Sequence, residues 1–547
     1  MKKWSKWLFA FTLMSLLFVL AACNNDESNT SGEAGDSGAT TEGGASTKNE
    51  VTIGITNPPG AFNPIARNDN TAWFVSTMVY SPFIMQGSDL EFHLKLAESI
   101  ETEDNQTFTI KLHPDAVWSD GEKLTADDVL FTAKTIGTKE AAAISYGINQ
   151  IKGYDDTGIL ADPNAELEGV KKVDDATVQF ITKQPMDIEL FYSLVASQFL
   201  TIPEHIFAEI APADLATHSY MQNPPVASGP FTFGEYAANQ YIALKSNDTY
   251  FLGRPKIDAL YFKLMPAANI VAQLQSGEVD MNYPGIGTIA ASDFERVQNL
   301  SNVDSEFGLD LDYNFLTFNF REGKELDVKV REAIAHAIDR EMIVNNLLKG
   351  QGVVNDVTYS KQNKYYNENL ETIKYDPEKA KKLLEEAGWD FNRQLTVTVP
   401  SGNTTREQMA DLLIQNLLAV GLKVQLEKFD LPTVVANARS GDYELLILGL
   451  NYNQDPDAFS MYHTSGVNNF AKYSNAELDD LILKGLQEVT FETRKPIYDK
   501  VQEHLQANLP VLPLYYDKRL LAKNKRLVVG GPKDVGTLEN VHLWEVQ

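Results

Sequence analysis

The chain has 547 residues, of which 43% are hydrophobic and 22% charged, and its formal net charge is −28. This length predicts about three or four domains with a large core, and the acidity disfavours a nucleic acid partner because phosphate backbones attract basic surfaces. The sequence holds one cysteine, so no intrachain disulfide can form and the core must hold the fold.

The amino-terminal segment has the pattern of a secretory signal. A basic start and an apolar run lead to Leu20-Ala21-Ala22-Cys23. The run is too short for a good bilayer span, which needs about 20 apolar residues. The stretch resembles the lipobox of bacterial lipoproteins, which implies cleavage after residue 22 and a lipid on Cys23. A core cysteine that happens to follow a signal is the weaker alternative.

The segment that follows, residues 24–50, is mostly Ser, Gly, Thr, Ala and Glu, and it lacks aromatic side chains. Such a composition cannot bury enough apolar surface to become ordered. The segment is therefore predicted to be a flexible tether that holds a folded body away from the membrane.

The first half of the body is predicted to be rich in strands. Alternating or buried apolar patterns predict strands at 51–55, 108–112, 177–182, 257–264 and 279–281. Thr125, followed by acidic residues, predicts the start of a helix, and Gly277 predicts the end of another helix at 268–276.

The second half, from about residue 321, is predicted to be richer in helix. Asp376-Pro377 predicts a cap and a first helical residue, with Gly388 as the stop. Strands at 395–399 and 422–426 flank a helix at about 406–420, and this βαβ unit predicts parallel pairing. Ser474-Asn475-Ala476-Glu477 predicts a capping box, and further strands are predicted at 444–448 and 510–516.

Three blocks in this order carry a family resemblance. The first contains Leu96-Ala97-Glu98-Ser99 and Trp118-Ser119-Asp120-Gly121, and the second contains Ser228-Gly229-Pro230-Phe231 and Gly253-Arg254-Pro255. The third runs from Asn319 to Arg340. Together, behind a lipobox and a tether, they resemble the oligopeptide/dipeptide/nickel family of ABC-transporter substrate-binding proteins.

The resemblance implies an α/β protein of the two-lobed, periplasmic-binding-protein-like type II fold, with an extra α+β domain inserted and a hinge between the lobes. Carried onto this chain, it implies a signal peptide at 1–22, a lipidated cysteine and tether at 23–50, a first lobe at 51–92, 208–320 and 507–547, an inserted domain at 93–207, and a second lobe at 321–506.

The function implied by the resemblance is the capture of oligopeptides between two closing lobes and their delivery to the permease subunits of an ABC importer. A monomer anchored by lipid to the outer face of the cell membrane is expected. Dipeptides, a nickel chelate, a sugar and a signalling peptide remain alternative ligands.

An exported enzyme is the alternative from another class. The eight histidines form no His-x-x-x-His pair, and the single cysteine is assigned to lipid rather than zinc. The sequence has no Gly-x-Ser-x-Gly elbow, no Ser-x-x-Lys and no Walker glycine loop. It therefore predicts a binding protein without catalytic residues, a cofactor or a metal site.

Peptide binding in the family implies strand-like bonding to the ligand's backbone. The first candidate for this edge is Gly449-Leu450-Asn451, and Tyr313-Asn314-Phe315 is the second. The loop that contains Asn57 and Asn63 is a third candidate. Ordinary core packing explains Tyr313 and Phe315 equally well.

Many peptide-binding members hold the ligand's amine with an aspartate four positions before a proline. Counted from Pro456, this position is Tyr452, so a fixed ion pair to the amine and a strict dipeptide preference are both in doubt. Asp455 and Asp457 flank the proline and could substitute. The favoured interpretation is that they begin a helix, as cap and first-turn acid.

Overall fold

The fold is built on three large β-sheets. It is described by a computed structural model that covers residues 48–60, 62–65, 69–140, 147–215, 217–309, 311–450 and 458–547. Cys23 and nearly all of the predicted tether lie outside these ranges. Among the described helices, none is both long and apolar enough to cross a membrane.

The strands carry the labels β1 to β21 in chain order. They are β1 (Glu50–Ile55), β2 (Ile84–Gln86), β3 (Phe92–Leu94), β4 (Ala97–Glu101), β5 (Thr107–Leu112), β6 (Val170–Asp174), β7 (Thr177–Ile181), β8 (Phe231–Ala237), β9 (Tyr241–Ser246), β10 (Ala259–Leu264), β11 (Met281–Asn282), β12 (Val303–Phe307), β13 (Asp312–Phe318), β14 (Gly352–Val353), β15 (Gln394–Pro400), β16 (Lys423–Phe429), β17 (Leu445–Leu450), β18 (Val511–Asp517), β19 (Leu520–Asn524), β20 (Leu527–Val529) and β21 (Glu545–Val546).

The α-helices carry the labels α1 to α16. They are α1 (Asn70–Val79), α2 (Ala126–Ile136), α3 (Ile188–Phe191), α4 (Glu204–Phe207), α5 (Pro212–Leu215), α6 (Ser219–Gln222), α7 (Ala267–Ser276), α8 (Phe294–Gln298), α9 (Val328–Ala337), α10 (Arg340–Met342), α11 (Pro377–Glu386), α12 (Thr404–Ala419), α13 (Leu431–Ser440), α14 (Phe459–Tyr462), α15 (Ala476–Gln487) and α16 (Phe491–Asn508).

The first sheet has seven strands in the order β12-β19-β11-β1-β10-β9-β8. Strand β1 is central and pairs in parallel with β10 and β11. Its residues alternate between the faces: Ile53 lies in the same core as helix α1, whereas Gly54 faces Ile270 of helix α7. Helices therefore cover both faces of this sheet, as expected for a buried parallel pair.

The second sheet has six strands in the order β14-β18-β13-β17-β15-β16. Strands β15 and β16 pair in parallel around helix α12, which confirms the predicted βαβ unit. Leu316 packs on the face covered by α9 and α12, and Phe315 packs on the face covered by α15 and α16. This sheet is also covered on both faces.

The third sheet, β4-β5-β7-β6, is antiparallel and forms the inserted region. Helix α2 begins with the predicted hydroxyl cap: Thr125 and Asp128 form a reciprocal capping box. Phe108 of β5 stacks on Phe191 of α3, with ring centroids 4.0 Å apart. The apolar side chains of this region belong to the same core as strand β1 of the first sheet.

The chain crosses between the first and second sheets at two places. It passes from β12 to β13 and returns from β18 to β19, and the N–H of Gly308 donates to the carbonyl of Arg519 over 3.0 Å. Two adjacent crossing segments between two α/β bodies give the two-lobed architecture. Strands β13 and β18 belong to the second sheet, although the sequence-based ranges 208–320 and 507–547 assign their residues to the first lobe. The bounds of the lobes stay a prediction.

One local prediction is wrong. The N-cap of α15 is Asn475 rather than Ser474, because the Asn475 Oδ1 accepts from the N–H groups of both Glu477 and Leu478 over 3.0 Å. Ser474 instead accepts a hydrogen bond from Thr464. Asparagine caps a helix as well as serine does, so the sequence allowed either residue.

Candidate ligand-binding site

A cavity of about 450 Å³ lies beside the two crossing segments. Its walls combine apolar side chains with a small number of charged groups, which is the usual composition of a ligand pocket. The apolar part is made by Trp73, Phe74, Pro82, Met85, Phe92 and Tyr283. The charged part is made by Asp312, Arg519 and Asp534.

Helix α1 supplies one wall of this cavity. Asn70, Trp73, Phe74 and Thr77 line it, and their spacing of three and four residues places them on one helical face. Asp69 caps the helix by accepting from the N–H of Ala72 over 2.7 Å. This wall was not predicted from the sequence, although two adjacent aromatic residues on a helical stripe bounded by Asn and Thr were its visible signal.

Acidic groups and one arginine form the end of the cavity near the crossing segments. Arg519 makes an ion pair with Asp312. Asp534 accepts from the N–H of Leu309 over 2.6 Å, and burial raises the pKa of its carboxyl. The carboxylates outnumber the guanidinium here, so this end of the cavity favours a positively charged or polar ligand group.

The inserted region supplies a third wall. A π-helical turn at Tyr192–Ala196 follows α3 and brings Ser193, with Ser197 and Gln198 behind it, to the cavity. Such turns widen a helix locally and occur frequently at functional sites. The cavity is therefore bounded by the first sheet's helix, the inserted region and the crossing segments.

The predicted residues of the loop after β1 have different environments. Asn57 is exposed, and its carbonyl accepts from the Thr71 hydroxyl over 2.9 Å. Asn63 is buried, and its Oδ1 accepts from the N–H of Ile65 over 2.9 Å. The Asn57 side chain is accessible to a ligand from solvent, whereas the buried Asn63 side chain stabilises the loop through its hydrogen bond with the backbone of Ile65.

The stretch Tyr313-Asn314-Phe315 lies in the interior of the second sheet. Strand β13 pairs with β17 on one side and β18 on the other, so it offers no open backbone edge to a ligand. Tyr313 and Phe315 are 6% and 1% exposed and belong to the core. Only Asn314 points to the other face, where its Oδ1 accepts from Arg406. Core packing accounts for the two aromatic side chains.

The end of β17 differs, because it has a partly open edge. Its neighbour β15 pairs with it only at Leu445 and Leu446. Among the described residues, the edge of Gly449 and Leu450 that faces β15 therefore has no strand partner. Both residues are half-buried. The remaining predicted residues, Asn451, Tyr452, Asp455 and Asp457, lie outside the described residues.

Comparison with known proteins relates this chain to a family of solute-binding proteins. The profile described as "Bacterial extracellular solute-binding proteins, family 5 Middle" matches residues 91–471. The oligopeptide-binding protein AppA of Bacillus subtilis is 29% identical over 97% of each chain, and the dipeptide-binding protein of Escherichia coli is 27% identical over 83% of this chain and 86% of that one. A solved structure of Bacillus subtilis AppA in complex with a nonapeptide superposes with a TM-score of 0.77 and 26% identity, over 91% of this chain and 99% of that one.

Proposed function

The chain belongs to the bacterial extracellular solute-binding proteins of family 5, and from this premise we propose that it captures oligopeptides between its two lobes and delivers them to an ABC importer. The observation that carries the proposal is the cavity beside the crossing segments. Its aromatic wall suits apolar parts of a ligand, and its polar groups suit a peptide backbone. The relatives named for peptides support this choice of ligand.

Oligopeptides are favoured over dipeptides. The similarity to AppA extends over nearly the whole chain, and the AppA structure holds a nonapeptide. The edge of β17 that its described pairing with β15 leaves open is suited to hydrogen bonds with an extended backbone, which are independent of the ligand's side chains. Such a ligand would extend beyond the 450 Å³ cavity and would place one of its side chains or one of its termini in it.

The remaining parts of the proposal concern the setting of the protein. We propose that it binds without catalysis, acts as a monomer with the permease as partner, and works on the outer side of the membrane. Lipid at Cys23 would anchor it there, as the lipobox implies. The ranges predicted for the lobes and the inserted domain are retained as part of this proposal.

Calorimetric titration tests the function. The protein, purified under denaturing conditions and refolded to remove bound ligand, is titrated with mixed-sequence peptides of about five to nine residues. We expect saturable binding by the wild type and at least tenfold weaker binding by Trp73→Ala, about 1.4 kcal/mol. Tyr375→Ala removes an exposed aromatic ring outside the cavity and serves as the control.

The outcomes separate the function from the site. If wild-type protein binds no peptide, the proposed function is overturned. If it binds peptides and Trp73→Ala has no more effect than Tyr375→Ala, the cavity is not where they bind. Binding restricted to dipeptides would favour the function of the Escherichia coli relative.

A further inference from the structure

A buried ion pair joins two segments that border the cavity, although neither of its residues lines the cavity itself. The Lys95 Nζ lies 2.5 Å from the Glu539 Oε1, and the two side chains are 5% and 7% exposed. The His93 Nδ1 lies 3.2 Å from the same oxygen, and the Asn540 amide donates to the other carboxylate oxygen. Both oxygens of Glu539 are therefore held by neighbouring groups.

The pair connects two walls of the cavity that are far apart in the sequence. Lys95 directly follows the β2–β3 hairpin, which forms one wall, and Glu539 directly follows the segment 534–538, which forms the other. The walls touch at Gly536, where a Cβ would be 2.6 Å from the Gln86 carbonyl oxygen. The ion pair therefore lies where it can set the spacing of the two walls. The hairpin residues that line the cavity are Met85, Gln86 and Phe92.

Hydrogen bonds connect Glu539 to Asp534 through a continuous set of turns. The N–H of Glu539 donates to the carbonyl of Gly536 over 3.0 Å. The Thr537 hydroxyl donates to the carbonyl of Lys533 over 2.6 Å and accepts from the N–H of the same residue over 3.0 Å. Asp534 lies inside the ring that these bonds close. A shift of Glu539 would therefore move Asp534, which lines the cavity.

Stability alone does not account for a buried ion pair of this kind. Removing two charges from water is costly, and their mutual attraction often does no more than offset that cost. Apolar side chains of similar volume at positions 95 and 539 would therefore stabilise the fold about as well. An ion pair adds direction, because the hydrogen bonds of Glu539 with Lys95 and Asn540 favour one arrangement of the two walls.

We propose that Lys95 and Glu539 are positioning residues for ligand binding, which hold Asp534 where its carboxylate can contact a cationic side chain of the peptide. The proposal rests on the proposed peptide-binding function. The N–H of Leu309 on the crossing segment already holds Asp534 from one side, and the turns that end at Glu539 hold it from the other. A lysine side chain suits the cavity, because its apolar stem can pack on the aromatic wall while its ammonium reaches the acidic end.

The test uses two acetylated peptides of one length and sequence that differ at a single position. One has Lys there, and the other has norleucine, which has the same four-carbon chain without the charge. Each is titrated against the wild type, Asp534→Asn, a pair variant that combines Lys95→Met with Glu539→Met, and the pair variant that also carries Asp534→Asn. The control combines Lys111→Met with Glu98→Met, which removes an exposed ion pair between β4 and β5.

We expect the wild type and the control to bind the Lys peptide at least tenfold more tightly than the norleucine peptide, about 1.4 kcal/mol. The pair variant should melt no lower than the wild type and should lose most of this preference, with its affinity for the norleucine peptide unchanged. Asp534→Asn should abolish the preference. Adding the pair variant to Asp534→Asn should then have no further effect on it, because the two changes act through the same contact.

Several results would overturn the inference while leaving peptide binding intact. They are equal binding of the two peptides by the wild type, a full preference in the pair variant or in Asp534→Asn, and a pair variant that weakens both peptides by the same factor, which would show a structural role only. If the pair variant does not fold, Glu539→Gln decides, since it keeps the volume and an acceptor but not the ion pair, and an undiminished preference would overturn the inference. Absence of any peptide binding by the wild type would instead overturn the proposed function itself.

Discussion

Glu189 of helix α3 forms an ion pair with Lys364, which lies between β14 and α11. Beside it, the Asp187 Oδ1 lies 3.7 Å from the Nη1 of Arg494 on α16. Both contacts join the inserted region to the body of the second sheet. They require these two parts to be close together, so they would stabilise a closed arrangement of the lobes.

The Glu189–Lys364 pair gives a prediction for closure. Peptide should reduce the radius of gyration in solution scattering and raise the melting temperature, since a ligand of the native state stabilises it by mass action. Lys364→Glu should weaken peptide binding by about threefold, the size expected for a solvent-exposed pair. Glu189→Lys combined with Lys364→Glu should restore it.

Lys361→Glu makes the same charge change at an exposed site three residues away and is the control. Equal weakening by Lys361→Glu and Lys364→Glu would show that net charge, and not this pair, is responsible. An unchanged radius of gyration at saturating peptide would count against closure.

Asp517 gives a pH prediction. It lies opposite Asp312 in the β13–β18 register, and burial raises its pKa from 3.8 to about 6. Between these values the folded state holds a proton that the unfolded state has lost, so the stabilisation is complete below about pH 4 and is lost as the pH rises through 6. Asp517→Asn should therefore gain stability relative to the wild type on going from pH 4.5 to pH 7.5.

Thermal unfolding at these two pH values measures the effect. We expect the difference in melting temperature, variant minus wild type, to increase by about 1 °C for each kcal/mol involved, because the entropy of unfolding of so long a chain is large. A difference that is the same at both pH values would show that Asp517 titrates alike in the folded and unfolded chains.

The residue Tyr452 predicts how the ligand's amine is held. Without a dedicated carboxylate, N-acetylation of a peptide of about five or more residues should change its affinity by less than tenfold, about 1.4 kcal/mol. If Asp455 or Asp457 instead forms a desolvated ion pair with the amine, acetylation should cost several kcal/mol. Calorimetry with both peptides and with Asp455→Asn and Asp457→Asn distinguishes the two cases. A large acetylation penalty that one variant abolishes would refute the interpretation of these residues as a helix start.

The lipobox predicts lipid at Cys23. In the native host, wild-type protein should partition into the detergent phase with the membrane fraction, and Cys23→Ala should not, because the alanine cannot carry the thioether-linked lipid. Equal membrane association of the two proteins would contradict the assignment.

Local rules predicted much of the fold from the sequence. The Thr125 cap, the Asp376-Pro377 helix start and the parallel pair β15–β16 depend on neighbouring residues or on one short unit, and the structure confirms all three. The cap of α15 was misassigned because adjacent Ser474 and Asn475 have similar propensities, and only the tertiary contact of Ser474 with Thr464 separates them.

The site was harder to predict, because it depends on distant parts of the chain. Trp73, Ser193 and Arg519 line one cavity but lie far apart in the sequence. Tyr313 and Phe315 were predicted to lie either at a ligand-binding edge or in the core, because an aromatic pair at strand spacing suits both. The flanking strands β17 and β18 show that β13 is an interior strand, so these two side chains belong to the core.

Mass spectrometry of the protein taken from its host is the decisive test of whether it captures peptides. The protein is isolated without added ligand, measured intact under native conditions, and then denatured to release and sequence whatever it carried. We expect a set of bound peptides of varied sequence, and their loss or marked depletion in Trp73→Ala but not in Tyr375→Ala. Peptide capture would be excluded by release of a uniform non-peptide compound, or by wild-type protein that carries nothing and retains nothing from a mixed peptide library.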